Sequence, residues 1–170
     1  QANLPDESYV SVGFSSQRGT LCLLDEDKKP LQDAILWYCT RAREYPEIFS
    51  KQISAEEYQE HTGMQLSPLW VAAKIAWLRD KDPATFEKTA WFANGQEYFL
   101  YMLGADKWET DPASLTLNGM MEIKTLDWSD RILDICGIDR SRVPPVGVPS
   151  GMVGKVSKEA AALTGIPEGT

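Results

Sequence analysis

The sequence contains very little histidine or cysteine. One histidine, His61, and three cysteines, Cys22, Cys39 and Cys136, stand among 170 residues. A catalytic triad built on histidine, or a metal site with several histidines, is therefore nearly excluded within this chain. An odd, widely spaced set of cysteines argues against a disulfide framework or a zinc site and favours a reducing compartment. We therefore expect a cytoplasmic protein without structural disulfides.

The chain also lacks an excess of positive charge and long apolar runs. Asp and Glu number 25 against 17 Lys and Arg, which gives a formal net charge of −8. Because no basic block offsets this charge, we expect neither nucleic acid nor an anionic membrane as a partner. The apolar runs are far too short to cross a bilayer, and the first residues do not read as a secretory signal. The composition is that of an ordinary globular protein with one domain.

Apolar runs rich in β-branched and aromatic residues predict the strands. Three are expected near the start of the chain, at Tyr9–Phe14, Thr20–Leu24 and Leu31–Trp37. The charged segment Asp25–Pro30 would join the last two as a hairpin. Shorter runs at 90–93 and 153–156 suggest two further strands.

Capping residues and helical periodicity predict mostly helices after Trp37. One helix should begin after Ser54 and end at Gly63, and a more apolar one should begin at Pro68. Further helix starts and ends are marked by Asp82, Asp111, Asp127–Asp130, Ser157, Gly104 and Gly137. Because strands come first and helices follow, the expected fold class is α+β, or mixed α/β.

The segment Phe14–Thr20, which reads FSSQRGT, is the first candidate for chemistry. It places Gln17 and Arg18 directly after an apolar run, and arginine is a fork of donors suited to oxygen-rich partners. These side chains either bind a ligand with several hydroxyl groups or form a solvated turn. Trp37 either stacks on the carbon skeleton of a sugar or polyol, or packs in the core. The residues alone therefore indicate an α+β domain with a polar pocket near Gln17, Arg18 and Trp37.

An ordered set of short motifs extends over nearly the whole chain from Tyr9. The first group lies near the candidate pocket and comprises Gly13, Gln17, Asp25, Lys29–Pro30, Ala34–Ile35, Trp37 and Arg41. The second group follows in order and comprises His61–Gly63, Pro68, Lys74–Leu78, Thr110–Asp111, Ala113–Ser114, Leu126–Trp128, Pro144, Gly154 and Thr164–Gly165. Taken together, this set resembles the FGGY family of carbohydrate kinases.

The resemblance implies an actin-like, ribonuclease-H-like first domain, of which residues 1–170 form a part. It implies ATP-dependent, Mg²⁺-assisted phosphorylation of a sugar or polyol, in which a carboxylate deprotonates the hydroxyl. The family's phosphate-handling Asp-x-Gly-Thr hairpin would precede Gln1, its catalytic Asp would follow Thr170, and its ATP-binding domain would lie further on. We therefore expect no catalytic base and no metal site in this chain, most ATP- and Mg²⁺-binding groups outside it, and no kinase turnover by these 170 residues alone.

The resemblance also assigns a substrate wall. Gln17 and Arg18 would bind substrate hydroxyls, and Trp37 would pack on the substrate. The Gln-Arg and Trp-x-Cys patterns are closest to glycerol kinases, but Gly19 stands where those have Glu and Leu69 where they have Tyr. Because a pocket built from hydrogen bonds discriminates strongly through such groups, we expect a larger substrate, either a ketose or a longer polyol.

Two other interpretations remain open from the sequence. The domain could be a non-catalytic sugar-binding or regulatory module derived from the same family. It could also be a truncated piece without a function of its own. Members of the family often form dimers, so a homodimer is compatible with the resemblance.

Overall fold

The computed structural model describes residues 9–148 and 151–170. This part of the chain contains helices, four short strands and one 3₁₀ turn at Arg140–Arg142. The helices are α1 (Tyr45–Phe49), α2 (Ala55–Thr62), α3 (Val71–Lys81), α4 (Pro83–Lys88), α5 (Gly95–Leu103), α6 (Pro112–Leu115), α7 (Asp130–Cys136) and α8 (Lys158–Thr164). The strands are β1 (Leu21–Leu24), β2 (Trp91–Asn94), β3 (Met121–Glu122) and β4 (Asp127–Trp128).

Helix α3 lies at the centre of the hydrophobic core. It is buried on nearly all sides and packs against α1, α4 and α7. Its buried apolar residues are Val71, Ala72, Ala73, Ile75, Ala76 and Leu78. Because the first two turns of this helix carry apolar residues on nearly every side, they are stable only inside a core, which accounts for the central position.

Strand β1 was predicted correctly, but its main partner was not. It pairs antiparallel with β2, in the register Leu21↔Asn94 to Leu24↔Trp91. The predicted strand Leu31–Trp37 forms one isolated bridge to β1, in which Leu21 and Ile35 exchange backbone hydrogen bonds of 2.9 and 2.8 Å, and a second bridge joins Leu24 to Pro30, just before it. The hairpin prediction is therefore wrong as a two-stranded ladder, although the chain does return beside β1. Strand β2 confirms the strand expected at 90–93.

Two other predicted strands are not formed. Residues Tyr9–Phe14 are exposed and belong to no strand, and Val10 is 87% exposed. An extended segment becomes a strand only when a second backbone pairs with it, and none of the described residues does so. Residues 153–156 likewise form only one bridge, between Gly154 and Ala105.

The helices predicted from local signals are confirmed. Four N-cap side chains accept hydrogen bonds from backbone N–H groups of the first turn, namely those of Ser54, Asp82, Asp111 and Ser157. Helix α3 begins at Val71 rather than Pro68, because the backbone N–H of Trp70 closes a turn onto Ser67. Helix α1 and the β3–β4 hairpin were not predicted.

Two further findings bear on the expected class of protein. Within the described ranges, no helix combines the length and apolar character needed to span a bilayer. The three cysteines all lie in these ranges, and each is a free thiol.

The turn between β1 and Pro30 is stabilised by Lys28, whose ammonium lies in a cage of three aromatic rings. Lys28 has a φ of 61°, in the left-handed region that non-glycine residues rarely adopt. Its Nζ lies 5.1 Å from the ring centroid of Tyr101, 5.3 Å from that of Trp108 and 5.9 Å from that of Trp91. These distances allow three cation–π contacts, which offset the cost of the strained backbone.

We predict that Lys28→Ala lowers the free energy of unfolding by about 1–2 kcal/mol, because it removes the cation and keeps the strained φ. Lys28→Gly removes the cation and also relieves the strain, so it should be about 1 kcal/mol more stable than Lys28→Ala. Thermal unfolding of these variants is the measurement. Lys29→Ala is the control, because the exposed pair of Lys29 with Asp27 should contribute little. Equal stability of Lys28→Ala and the wild type would contradict the cage.

Candidate functional site

The candidate residues Arg18 and Gly19 form the turn that leads into β1. Nη1 of Arg18 donates a hydrogen bond of 3.1 Å to Oγ1 of Thr116, at the end of α6. Gly19 is buried and has a φ of +74°. A Cβ placed on it would lie 3.4 Å from Cβ of Trp37 and 3.6 Å from the carbonyl oxygen of Leu117. The turn is therefore packed directly against Trp37, and glycine suits both its conformation and its space.

Trp37 and Leu69 are linked to each other by a residue of α3, and Trp37 contacts the Arg18–Gly19 turn. Trp37 is 46% exposed, its ring meets that of Tyr38 edge-on, and Leu69 is 37% exposed. The ammonium of Lys74 donates to the carbonyl oxygen of Trp37, at 3.0 Å, and also to the carbonyl oxygen of Leu69. Gly19 thus contacts Trp37, and Lys74 links the backbones of Trp37 and Leu69; we call this set of residues, together with Arg18, the Arg18–Trp37–Leu69 face.

Gln17 lies beside this face and not within it. It lines a cavity of about 420 Å³ together with Thr20, Leu36 and Tyr98, and neither Arg18 nor Trp37 is part of that lining. Oγ1 of Thr20 is buried there and finds no hydrogen-bond partner among the described residues. The cavity wall is mostly apolar, so it offers few of the groups that a polyol needs.

A polar network on α5 and α6 supports the segment before the turn. Oγ of Ser16 donates to Gln96 at 3.3 Å, and Gln96 donates in turn to the carboxylate of Asp111. The same carboxylate caps α6 by accepting from the backbone N–H of Ser114 at 2.9 Å. Because Thr116, which accepts the hydrogen bond of Arg18, directly follows α6, this one short helix positions both sides of the turn.

Glu97 anchors the base of this network. Its side chain is 1% exposed and accepts hydrogen bonds from the backbone N–H of Asn94 and the hydroxyl of Thr110. Burial raises the pKa of Glu97, while the hydrogen bonds from Thr110 and Asn94 act against that rise. The carboxylate therefore joins α5 to the Thr110–Asp111 pair and does not face an open site.

Several of these supporting residues were missed at the level of sequence. The pattern Asn94-Gly-Gln-Glu97 is a capping box and could have indicated Glu97. Lys74 could have been noticed as a cation within an apolar helix. Thr116 carries no such signal, because its contact with Arg18 joins residues far apart in the chain.

The environment of Lys74 has a measurable electrostatic consequence. The side chain is only 1% exposed, and burial lowers its pKa from 10.5 to about 8. Between pH 8 and 10.5 the unfolded chain therefore binds more protons at this position than the folded chain. The penalty for burying the ammonium is fully present below pH 8 and disappears as the pH rises towards 10.5.

We predict that Lys74→Met changes the pH dependence of stability in that window. As the pH rises, the wild type should gain stability relative to the variant, with a slope of up to about 1.4 kcal/mol per pH unit. Urea unfolding of both proteins from pH 7 to 10.5 is the measurement. The quantity to compare is the difference in unfolding free energy between wild type and variant at each pH. Burial raises the pKa of Cys22 to about 11 and of Cys136 to about 12, so both thiols lower the stability of both proteins as the pH rises. Parallel curves for the two proteins would contradict the prediction.

The described residues contain no group of three or more His, Cys, Asp or Glu side chains that could hold a metal ion. None of the five candidate residues carries a carboxylate. The geometry therefore offers donors and an aromatic surface for a ligand, without a base or a metal site among these five residues.

Comparisons with known proteins agree with this architecture. The chain is 29% identical over 163 residues to the glycerol kinase of Thermococcus onnurineus, covering 94% of the chain and 33% of that protein. It is 26% identical over 162 residues to the gluconokinase of Bacillus licheniformis, covering 95% of the chain and 31% of that protein. The chain thus spans about a third of the length of these relatives.

Solved structures give the same result for the fold. The gluconate kinase from Lactobacillus acidophilus superposes with a TM-score of 0.83 at 26% identity, covering 92% of this chain and 32% of that one. The Plasmodium falciparum glycerol kinase with ADP gives a TM-score of 0.78 at 28% identity, covering 86% and 30%. The predicted fold class, a mixed α/β domain of the actin-like type, is confirmed. The model of the FGGY family of carbohydrate kinases, N-terminal domain, matches residues 1–170, and the chain belongs to this family.

Proposed function

We propose that the protein containing this chain phosphorylates a hydroxyl group of a sugar or polyol, using ATP and Mg²⁺. The chain supplies one wall of the substrate pocket. Membership of the carbohydrate kinase family supports the reaction class. The observation that carries the location is the packing of Gly19 against Trp37, because Arg18 directly precedes Gly19 in the same turn and its side chain donates to Thr116.

The two side chains have complementary tasks in this proposal. Arg18 is exposed and uses one N–H group for Thr116, and guanidinium carries five such donors. The others are oriented for substrate hydroxyls by that contact. Trp37 is about half exposed, so its ring can cover the C–H groups of a sugar or polyol while the hydroxyls face Arg18.

The chain's part in the reaction is to bind and orient the substrate. In phosphoryl transfer, positioning and charge stabilisation account for most of the rate, and ATP with Mg²⁺ supplies the phosphoryl group. Among the described residues, no three or more His, Cys, Asp or Glu side chains are grouped so that they could hold a metal ion. Since none of the five candidate residues carries a carboxylate that could act as the base, we also propose that the 170 residues alone have no kinase turnover.

The substrate class follows from Gly19 and Leu69. They stand where the resemblance to glycerol kinases places a carboxylate and a phenol, so two hydroxyl partners of glycerol are missing. Leu69 is partly exposed, and Lys74 links its backbone to that of Trp37, so the missing phenol bears on the proposed aromatic contact. We infer a substrate larger than glycerol, either a ketose or a longer polyol.

We predict that the intact protein releases ADP with one member of a panel of glycerol, erythritol, xylulose, ribulose, other ketoses and gluconate. Arg18→Ala and Trp37→Ala should each lower kcat/KM for that substrate by about tenfold or more, because each removes a direct contact. Lys51→Ala is the control, since that lysine is exposed and lies outside the face. A coupled assay of ADP release is the measurement.

The outcomes separate the two classes of function. Turnover that both variants impair supports the kinase and the location of the pocket. Turnover that neither variant impairs places the substrate elsewhere. Binding of a sugar without any ADP release would favour the non-catalytic module.

We further predict that Leu69→Tyr shifts preference towards glycerol by about tenfold in the ratio of kcat/KM values, because a phenol restores a hydroxyl partner near the pocket. Leu69→Met is the matched control, since it changes shape without adding a polar group. If the wild type already prefers glycerol over every ketose and longer polyol, the inference about substrate size is wrong.

A further inference from the structure

Lys74 is a charged side chain in the central helix of the core. The other residues of the first two turns of α3 are apolar, and Lys74 is as buried as they are. Its ammonium donates to two backbone oxygens at the edge of the core, those of Trp37 and Leu69, and to no other acceptor in the described part of the chain. The two oxygens belong to different segments of the chain: Trp37 lies before α1, and Leu69 lies after α2.

Stability alone does not account for a lysine at this position. Taking an ammonium out of water costs several kcal/mol, and replacing a buried ion with an apolar residue of similar volume is often neutral or stabilising. Methionine would fit the same space without that cost. The ammonium does, however, provide something that methionine cannot, because one atom holds two backbone carbonyls at fixed separation.

Those two carbonyls belong to the two partly exposed hydrophobic residues of the Arg18–Trp37–Leu69 face. The backbone N–H of Leu69 has a local contact, a hydrogen bond of 3.2 Å to Oγ of Ser67. The ring of Trp37 touches Tyr38, its immediate neighbour in the chain. Among the described residues, the ammonium of Lys74 is the hydrogen-bonding group that ties Trp37 and Leu69 to each other.

We propose that Lys74 is a positioning residue for the substrate pocket, which sets the distance between Trp37 and Leu69 from behind. This inference rests on the proposed function for its kinetic consequences. It does not require that function for its structural consequence, which is that the backbone at Trp37 moves when the ammonium is removed. Lys74 touches no substrate in this account and acts through the two carbonyls.

The kinetic test uses the intact protein and its best polyol or ketose substrate. Lys74→Met should raise the KM for that substrate by about tenfold or more, because small displacements of positioning groups are costly, and should leave the KM for ATP within about twofold. The melting temperature should stay the same or rise. Lys81→Met is the matched control, as the same substitution at an exposed position of the same helix. Lys74→Gln supplies amide N–H donors in place of the ammonium, without the charge, and should lose less affinity than Lys74→Met.

A merely structural role predicts a different pattern. Lys74→Met would then lower the melting temperature and the amount of active enzyme, with both KM values unchanged, and this result would overturn the inference.

The structural test does not depend on turnover. The protein is labelled with 5-fluorotryptophan, and Trp37→Phe identifies the ¹⁹F resonance of Trp37. Lys74→Met should shift or broaden that resonance, while the signals of Trp91 and Trp108 on the other side of β1 stay in place. An unchanged Trp37 resonance would overturn the inference even if the protein is a kinase. A shifted resonance in a protein without turnover would uphold the positioning and refute the proposed function.

Discussion

A buried ammonium needs hydrogen-bond acceptors, and Lys74 finds them only at the edge of the core. Helix α3 is fixed by its apolar surface, so the ammonium at its first turns has a fixed position as well. The carbonyls of Trp37 and Leu69 must come to it, because leaving the charge without acceptors would cost several kcal/mol. The packing of the core thereby determines where two exposed hydrophobic side chains stand at the surface.

A second constraint acts on the other half of the same surface. Glu97 is buried and holds Thr110, while the adjacent Asp111 caps α6 and accepts from Gln96. Helix α6 then presents Thr116 to Arg18. Two buried polar groups thus support the proposed pocket wall: Lys74 supports Trp37 and Leu69, and Glu97 supports the segment that leads to Arg18. Gly19 lies between these two parts, next to Arg18 and in contact with Trp37. Function in this proposal needs polar groups that the stability of the core does not require.

Local signals in the sequence identified much of the fold. Caps such as Ser54 and Asp82 act within one helical turn, so the helices that they begin could be located from the sequence. The partner of β1 could not, because the pairing with Trp91–Asn94 joins residues far apart in the chain and competes with the nearer segment Leu31–Trp37. The same limit applies to the site, whose substrate contacts remain predictions. The resemblance to the family could identify candidate residues for the site. The link that Lys74 makes between Trp37 and Leu69 could not be predicted, because it depends on the position of α3 in the core.

The most direct test of the central claim is a crystal structure of the intact protein with the polyol or ketose that it phosphorylates. The account predicts that the carbon skeleton of the ligand lies within about 4 Å of the Trp37 ring and that a ligand hydroxyl accepts a hydrogen bond from Arg18. A ligand bound away from both side chains, with the Arg18–Trp37–Leu69 face left in contact with solvent or protein alone, would contradict it.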